Sequence, residues 1–66
     1  MSKNSYREFF AQCKSLIKFS RICELAGVSR VTFSRFMKGD QFNWCLSLDT
    51  LSRLYDVLQS ELQKLT

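Results

Sequence analysis

A chain of 66 residues with a formal net charge of +4 is one small domain with a thin core, since folding at this size buries only about 60% of the surface the unfolded chain exposes. Its 45% hydrophobic content excludes a disordered segment, no apolar run approaches the about 18 residues that cross a bilayer, and nothing resembles a signal peptide, so a soluble cytoplasmic protein is expected. Histidine is absent, and Cys13, Cys23 and Cys45 share no CxxC spacing, which argues against an ordinary four-ligand zinc site and leaves the thiols without a base partner. They read as reduced, mostly buried small hydrophobes; no metal, no cofactor and no small-molecule substrate is expected, and the chain does not read as an enzyme.

In chain order, the apolar residues recur at helical steps. Tyr6, Phe9, Phe10, Cys13, Leu16 and Ile17 stand three and four apart, on one face of a first helix. Ser5 with Glu8 has the form of a capping box, so this helix is expected to start near Ser5 and to end near Phe19. Ser20 is placed to cap a short second helix through Ile22, Cys23, Leu25 and Ala26, and Gly27 stands where a helix end wants a residue tolerating positive φ. Val28 and Ser29 complete a tight connection. Ser29 then caps a third helix through Val31, Phe33, Phe36 and Met37 to Lys38, stopping at Gly39.

Residues 40–46 show no helical period and read as a loop. Ser47 or Asp49 opens a last helix, of which Leu48, Leu51, Leu54 and Leu58 are expected in the core. Leu51, Tyr55, Leu58, Leu62 and Leu65 also have heptad spacing, too short for a coiled coil by itself; Leu62 and Leu65 are left for a partner or for nothing. Residues 59–66 either continue this helix or form a fifth. Asp40, Asp49, Asp56 and Glu61 read mostly as caps or solvated groups.

Charge is unevenly placed. Residues 1–39 hold Lys3, Arg7, Lys14, Lys18, Arg21, Arg30, Arg35 and Lys38 against Glu8 and Glu24, a net +6. Residues 40–66 hold Arg53 and Lys64 against four acids, a net −2. A concentrated positive half is the footprint of a polyanion-binding surface.

The run FSRICELAGVSRVTFSRFMKG, residues 19–39, resembles the helix-turn-helix of the lambda-repressor-like (Cro and Xre-type) DNA-binding domains, and NWCLSLDTLSRLYDVL, residues 43–58, resembles the loop and helix that follow it there. The spacing also has a physical reason. Two helices crossing steeply need small residues, here Cys23 and Ala26, while Gly27 redirects the chain and Val28, Phe33 and Phe36 pin the third helix. Cys23 stands where the family usually has Ala. Phe19 stands where it often has a phosphate-contacting Gln, so that contact is missing or falls to Ser20 or Arg21. The resemblance covers nearly the whole chain and implies an all-α, compact four- to five-helix lambda-repressor-like domain with its helix-turn-helix at about residues 20–38.

With Phe33, Phe36 and Met37 turned inward, the opposite face of the third helix carries Ser29, Arg30, Val31, Ser34, Arg35 and Lys38 in one stripe. In the major groove, Ser29, Arg30, Val31, Ser34 and Arg35 are the expected base contacts, while Ser20, Arg21 and Lys38 suit phosphates. The expected function is a Cro-like repressor that binds a double-stranded DNA operator as a homodimer, because one short helix rarely supplies specific affinity alone. Phe42, Trp44, Leu62 and Leu65 are the candidate dimer residues. Those same residues motivate the alternative, a protein-binding module of antiactivator or antitoxin type; a nonspecific nucleic-acid chaperone is a third option.

Overall fold

Ser2, not Ser5, opens the first helix. In the computed structural model, which describes residues 2–64, the Ser2 hydroxyl accepts from the Ser5 N–H at 3.1 Å, and helix α1 runs over Lys3–Cys13. The extra turn is held by one tertiary and one local contact: Lys3 Nζ donates to the Asn43 carbonyl at 3.0 Å, and Asn4 Oδ1 accepts from Arg7, one turn on, at 2.6 Å.

Helix α1 also ends six residues earlier than the expected stop at Phe19. The Leu16 and Ile17 N–H groups both donate back to the Cys13 carbonyl, so the chain turns over residues 14–18. Leu16, expected on the buried face, is exposed, and Ile17 is half-buried. Phe19 thereby becomes the first residue of α2 (Phe19–Ala26), where its ring stacks on Phe33 at 5.0 Å and meets Phe10 edge-on at 5.7 Å. Lys18 takes the cap position and supplies no side-chain bond, so Ser20 is not the cap. Burying a phenylalanine is worth about 1.5–3 kcal/mol and a hydroxyl cap only about 1, which explains why the aromatic sets this boundary.

The end of α2 follows the sequence expectation. Gly27 adopts φ 72, its N–H donates to the Glu24 carbonyl, and the Val28 N–H donates to the Cys23 carbonyl at 2.8 Å. This paired 6→1 and 5→2 bonding satisfies two carbonyls that a helix end otherwise leaves open. Ser29 caps α3 (Arg30–Phe36) by accepting from the Thr32 N–H at 3.5 Å. Helix α3 stops at Phe36, short of Lys38. The expected loop at 40–46 is instead a 3-10 helix, Asp40–Cys45, kinked at Phe42, and it packs on α3 and α1. A single 3-10 segment carries no 3.6-residue period, so the sequence pattern does not reveal it.

Ser47 accepts from the Thr50 N–H at 3.2 Å and opens α4 (Leu48–Lys64), which is continuous through residues 59–64. The described residues are thus all-α, with four α-helices and one 3-10 helix around a single core. Phe10, Ile22, Cys23, Phe36, Leu51, Leu54 and Leu58 are fully buried at its centre. Leu48, expected there too, is half exposed at the first position of α4. Three of the heptad positions are used within the chain: Leu51 and Leu58 are in the core, and Tyr55 packs on Tyr6 and Phe9. No helix among the described residues is long and apolar enough to cross a membrane.

Candidate nucleic-acid interface

The basic half of the chain divides into cations that hold the fold together and cations that face outward. Arg7 belongs to the first group, although the sequence counts it as surface charge. Its side chain is only 12% exposed, and its guanidinium lies 4.4 Å over the Phe36 ring. Nε donates to the Phe36 carbonyl at 2.8 Å; Nη2 donates to the Gly39 carbonyl at 2.9 Å and to Asn43 Oδ1. Nη1 donates to Asn4 Oδ1 and to Asp40 Oδ1. All five guanidinium N–H donors are therefore used, two of them on carbonyls at the end of α3 and its exit and two on side chains of the 3-10 helix. No sequence signal marks this role, because every partner except Asn4 lies 29 to 36 residues away.

Arg21, a candidate phosphate contact, is also engaged. Its Nε donates to Glu61 Oε1 at 2.9 Å, tying α2 to α4, while Lys64 holds the other Glu61 oxygen at 3.2 Å. Glu61 is buried rather than solvated, covered by its neighbours near the end of α4. The hydrogen bonds from Arg21 and then Lys64 hold its carboxyl below the usual value of 4.5, against a smaller opposing effect of desolvation.

The second group is Lys14, Lys18, Arg30, Arg35 and Lys38, all exposed and engaged by no ion pair or side-chain hydrogen bond among the described residues. Three of them meet at one place. An open cleft of about 350 Å³ runs between the end of α1, the start of α2 and the length of α3, lined by Lys14, Ser20, Arg30, Ser34 and Lys38 over Phe19, Cys23, Phe33 and Met37. Ser20 and Arg30 also line a second, adjoining depression with Glu24 and Val28. The packing thus brings together Ser20, Arg30, Ser34 and Lys38 from the candidate set and adds Lys14, which the sequence does not single out. Burial pushes the Cys23 thiol under the cleft up, although Arg30 pulls it the other way, so it stays a neutral floor.

On α3 the turn of about 100° per residue spreads Arg30, Ser34, Val31 and Arg35, in that order, over an arc of about 140°, and Lys38 follows in the turn just past the helix end. All five are exposed, Val31 at 64%, while Phe33 and Phe36 on the opposite side are buried. Arg30 forms the rim next to α2, and Arg35 the far rim, outside the cleft. Ser29 is exposed at the start of the stripe, with its hydroxyl serving as the α3 cap. At the start of α2 no side chain caps the first N–H groups, and Lys18 stands beside them.

The candidate dimer residues differ in exposure. Trp44 is 71% exposed, Phe42 is half-buried in the 3-10 helix, and Leu62 is half-buried against the edge of the core. Leu65 lies outside the described residues. The three cysteines are free, Cys13 and Cys23 buried and Cys45 half-buried, and burial pushes the Cys13 thiol up as well. Among the described residues no cluster of Cys, Asp or Glu is placed to hold a metal ion.

Comparison with protein-family models, with curated proteins and with solved structures returns no match.

Proposed function

We propose that this protein is a sequence-specific double-stranded DNA-binding regulator of transcription, a Cro-like repressor with a lambda-repressor-like fold, acting in the cytoplasm by binding and not by catalysis. Helices α2 and α3 are its helix-turn-helix, and the observation that carries the reading is the outward face of α3. Four side chains suited to a major groove, Arg30, Val31, Ser34 and Arg35, are exposed there, with Lys38 just past the helix end, and none has a side-chain hydrogen bond or ion pair among the described residues. They adjoin the start of α2, where Ser20, Lys14 and Lys18 suit a phosphate backbone. Arg30 and Arg35 read guanine edges, Val31 meets a thymine methyl, and Ser29 and Ser34 read either base type. With its Nε held by Glu61, Arg21 supports binding chiefly through charge, and Lys14 joins Lys38 and Ser20 as a backbone contact.

The operator is bound as a homodimer. The molecule measures 35 × 20 × 19 Å, so one copy covers no more than about one helical turn, or half-site, of duplex. Fluorescence anisotropy on random duplexes and on DNA flanking the gene, each titrated with salt, tests the reading. Retention of the flanking DNA at physiological salt while random duplexes are lost supports it; no binding to either at low salt overturns it.

One observation favours a second reading. Trp44 exposes 71% of its surface on the 3-10 helix, more than any other large hydrophobic residue described. An exposed aromatic of this kind suits a protein partner, so a protein-binding module of antiactivator or antitoxin type takes the lead if duplex DNA fails to bind.

A further inference from the structure

We infer that Glu24 lies on the DNA-facing surface and acts as an electrostatic counterweight that holds down phosphate-driven affinity; this rests on the DNA-binding reading above. Ser20 and Glu24 stand one turn apart on α2 and therefore share a face. The fold sets that face beside Val28 and Arg30 in the depression that adjoins the α2–α3 cleft. Every other charged residue lining the cleft or this depression is a cation: Lys14, Arg30 and Lys38. Glu24 is exposed and forms no ion pair with them within 4.0 Å among the described residues, so its negative charge is not neutralised by a direct contact.

A carboxylate in that position is a liability for simple polyanion binding, because a phosphate drawn to Ser20 or Arg30, which line the same depression, comes within a Debye length of it. The repulsion opposes sequence-independent binding, which depends on phosphate neutralisation. Glu8 supplies an internal control: it is an exposed acid of the same charge on α1 and lines neither depression.

The test compares wild type, Glu24→Gln and Glu8→Gln on a random-sequence duplex by anisotropy between low and physiological salt. Glu24→Gln tightens binding about threefold per protomer at low salt, about tenfold for a dimer on two sites, and the gain shrinks as salt rises. Glu8→Gln tightens it less than half as much on a logarithmic scale. Glu24→Lys, which reverses the charge, goes further than Glu24→Gln. Equal effects of Glu24→Gln and Glu8→Gln would overturn the inference, leaving only a net-charge effect while the DNA-binding reading stands. Absence of wild-type binding at any salt would overturn that reading itself, a different outcome.

Discussion

The guanidinium of Arg7 on α1 donates to the carbonyl of Phe36, the last residue of α3, at 2.8 Å and lies 4.4 Å above the ring of that same residue. The contact joins the two ends of the problem this small protein faces. It anchors the helix that carries the proposed base contacts, and it does so with a cation that would otherwise be buried without compensation. Replacing Arg7 by Ala strands the Phe36 and Gly39 carbonyls and Asn43, and is expected to cost about 3 kcal/mol in urea unfolding. Arg7→Lys keeps the charge but not the fork, so it recovers less than half of that loss. Midpoints within about 0.5 kcal/mol of wild type for Arg7→Ala would mean that the clamp contributes nothing.

Glu61 makes stability fall in acid. Its carboxyl is held below 4.5 by the bonds from Arg21 and Lys64. A depressed folded value means the unfolded chain takes up the proton first as pH drops. The stabilisation is therefore complete above about pH 4.5 and is lost as pH falls through the lower folded value. Glu61→Gln should show a flatter decline of the urea midpoint as pH falls below about 4.5. Parallel pH profiles for the two proteins would show that the pair does not couple α2 to α4 energetically.

Gly27 tests the turn between α2 and α3. It sits at φ 72 with no atom within 4 Å of where a Cβ would stand, so Gly27→Ala meets backbone strain and no clash. A loss of about 1–2 kcal/mol is expected, and Gly27→Asn should lose less because Asn tolerates this conformation better. If Ala proved neutral in thermal or urea unfolding, the left-handed turn would be wrong.

Arg30 and Arg35 flank the proposed reading face from opposite rims. Each Ala substitution is expected to cost about 1–3 kcal/mol of operator affinity and to relax preference at one base pair per half-site, measured by binding to a panel of single-base operator variants. Uniform weakening across the panel would reassign that arginine to the phosphate backbone. Lys14→Ala should give that uniform pattern and reduce the salt slope by about one.

Trp44 is so exposed that truncating it should leave the folding stability of a protomer within about 0.5 kcal/mol. If it belongs to the dimer interface, Trp44→Ala weakens self-association in sedimentation equilibrium by about 1 kcal/mol or more. An unchanged association constant for Trp44→Ala, alone and with Phe42→Ala, would move the interface elsewhere on the molecule.

Much of this architecture is local and so legible in residue spacing. Ile22, Cys23 and Ala26, then Phe33 and Phe36, then Leu51, Leu54 and Leu58 recur at helical steps and are buried as that pattern requires. Gly27 and Ser29 mark the turn because their chemistry suits the backbone there whatever surrounds it. The outward face of α3 follows from the inward one, since a helix that buries Phe33 and Phe36 presents Arg30, Ser34 and Arg35 on the other side.

What spacing does not contain is who meets whom across the chain. Apolar periodicity continued past Cys13 to Leu16 and Ile17, yet the helix stops because Phe19 gains more by stacking on Phe33 than by extending α1. In a one-dimensional reading Arg7 is one of eight basic groups, Arg21 a phosphate contact and Glu61 a cap or solvated group. Only packing, which brings partners 29 to 40 residues distant within hydrogen-bond reach, gives them structural bonds and takes Arg7 out of the outward-facing charge. The sequence alone determined that the chain is helical, where its central turn lies, and which face of α3 looks outward, because those follow from bonds and periods within a few residues. Tertiary structure alone decided which cations remain available to a polyanion, because that depends on desolvation and pairing between distant segments.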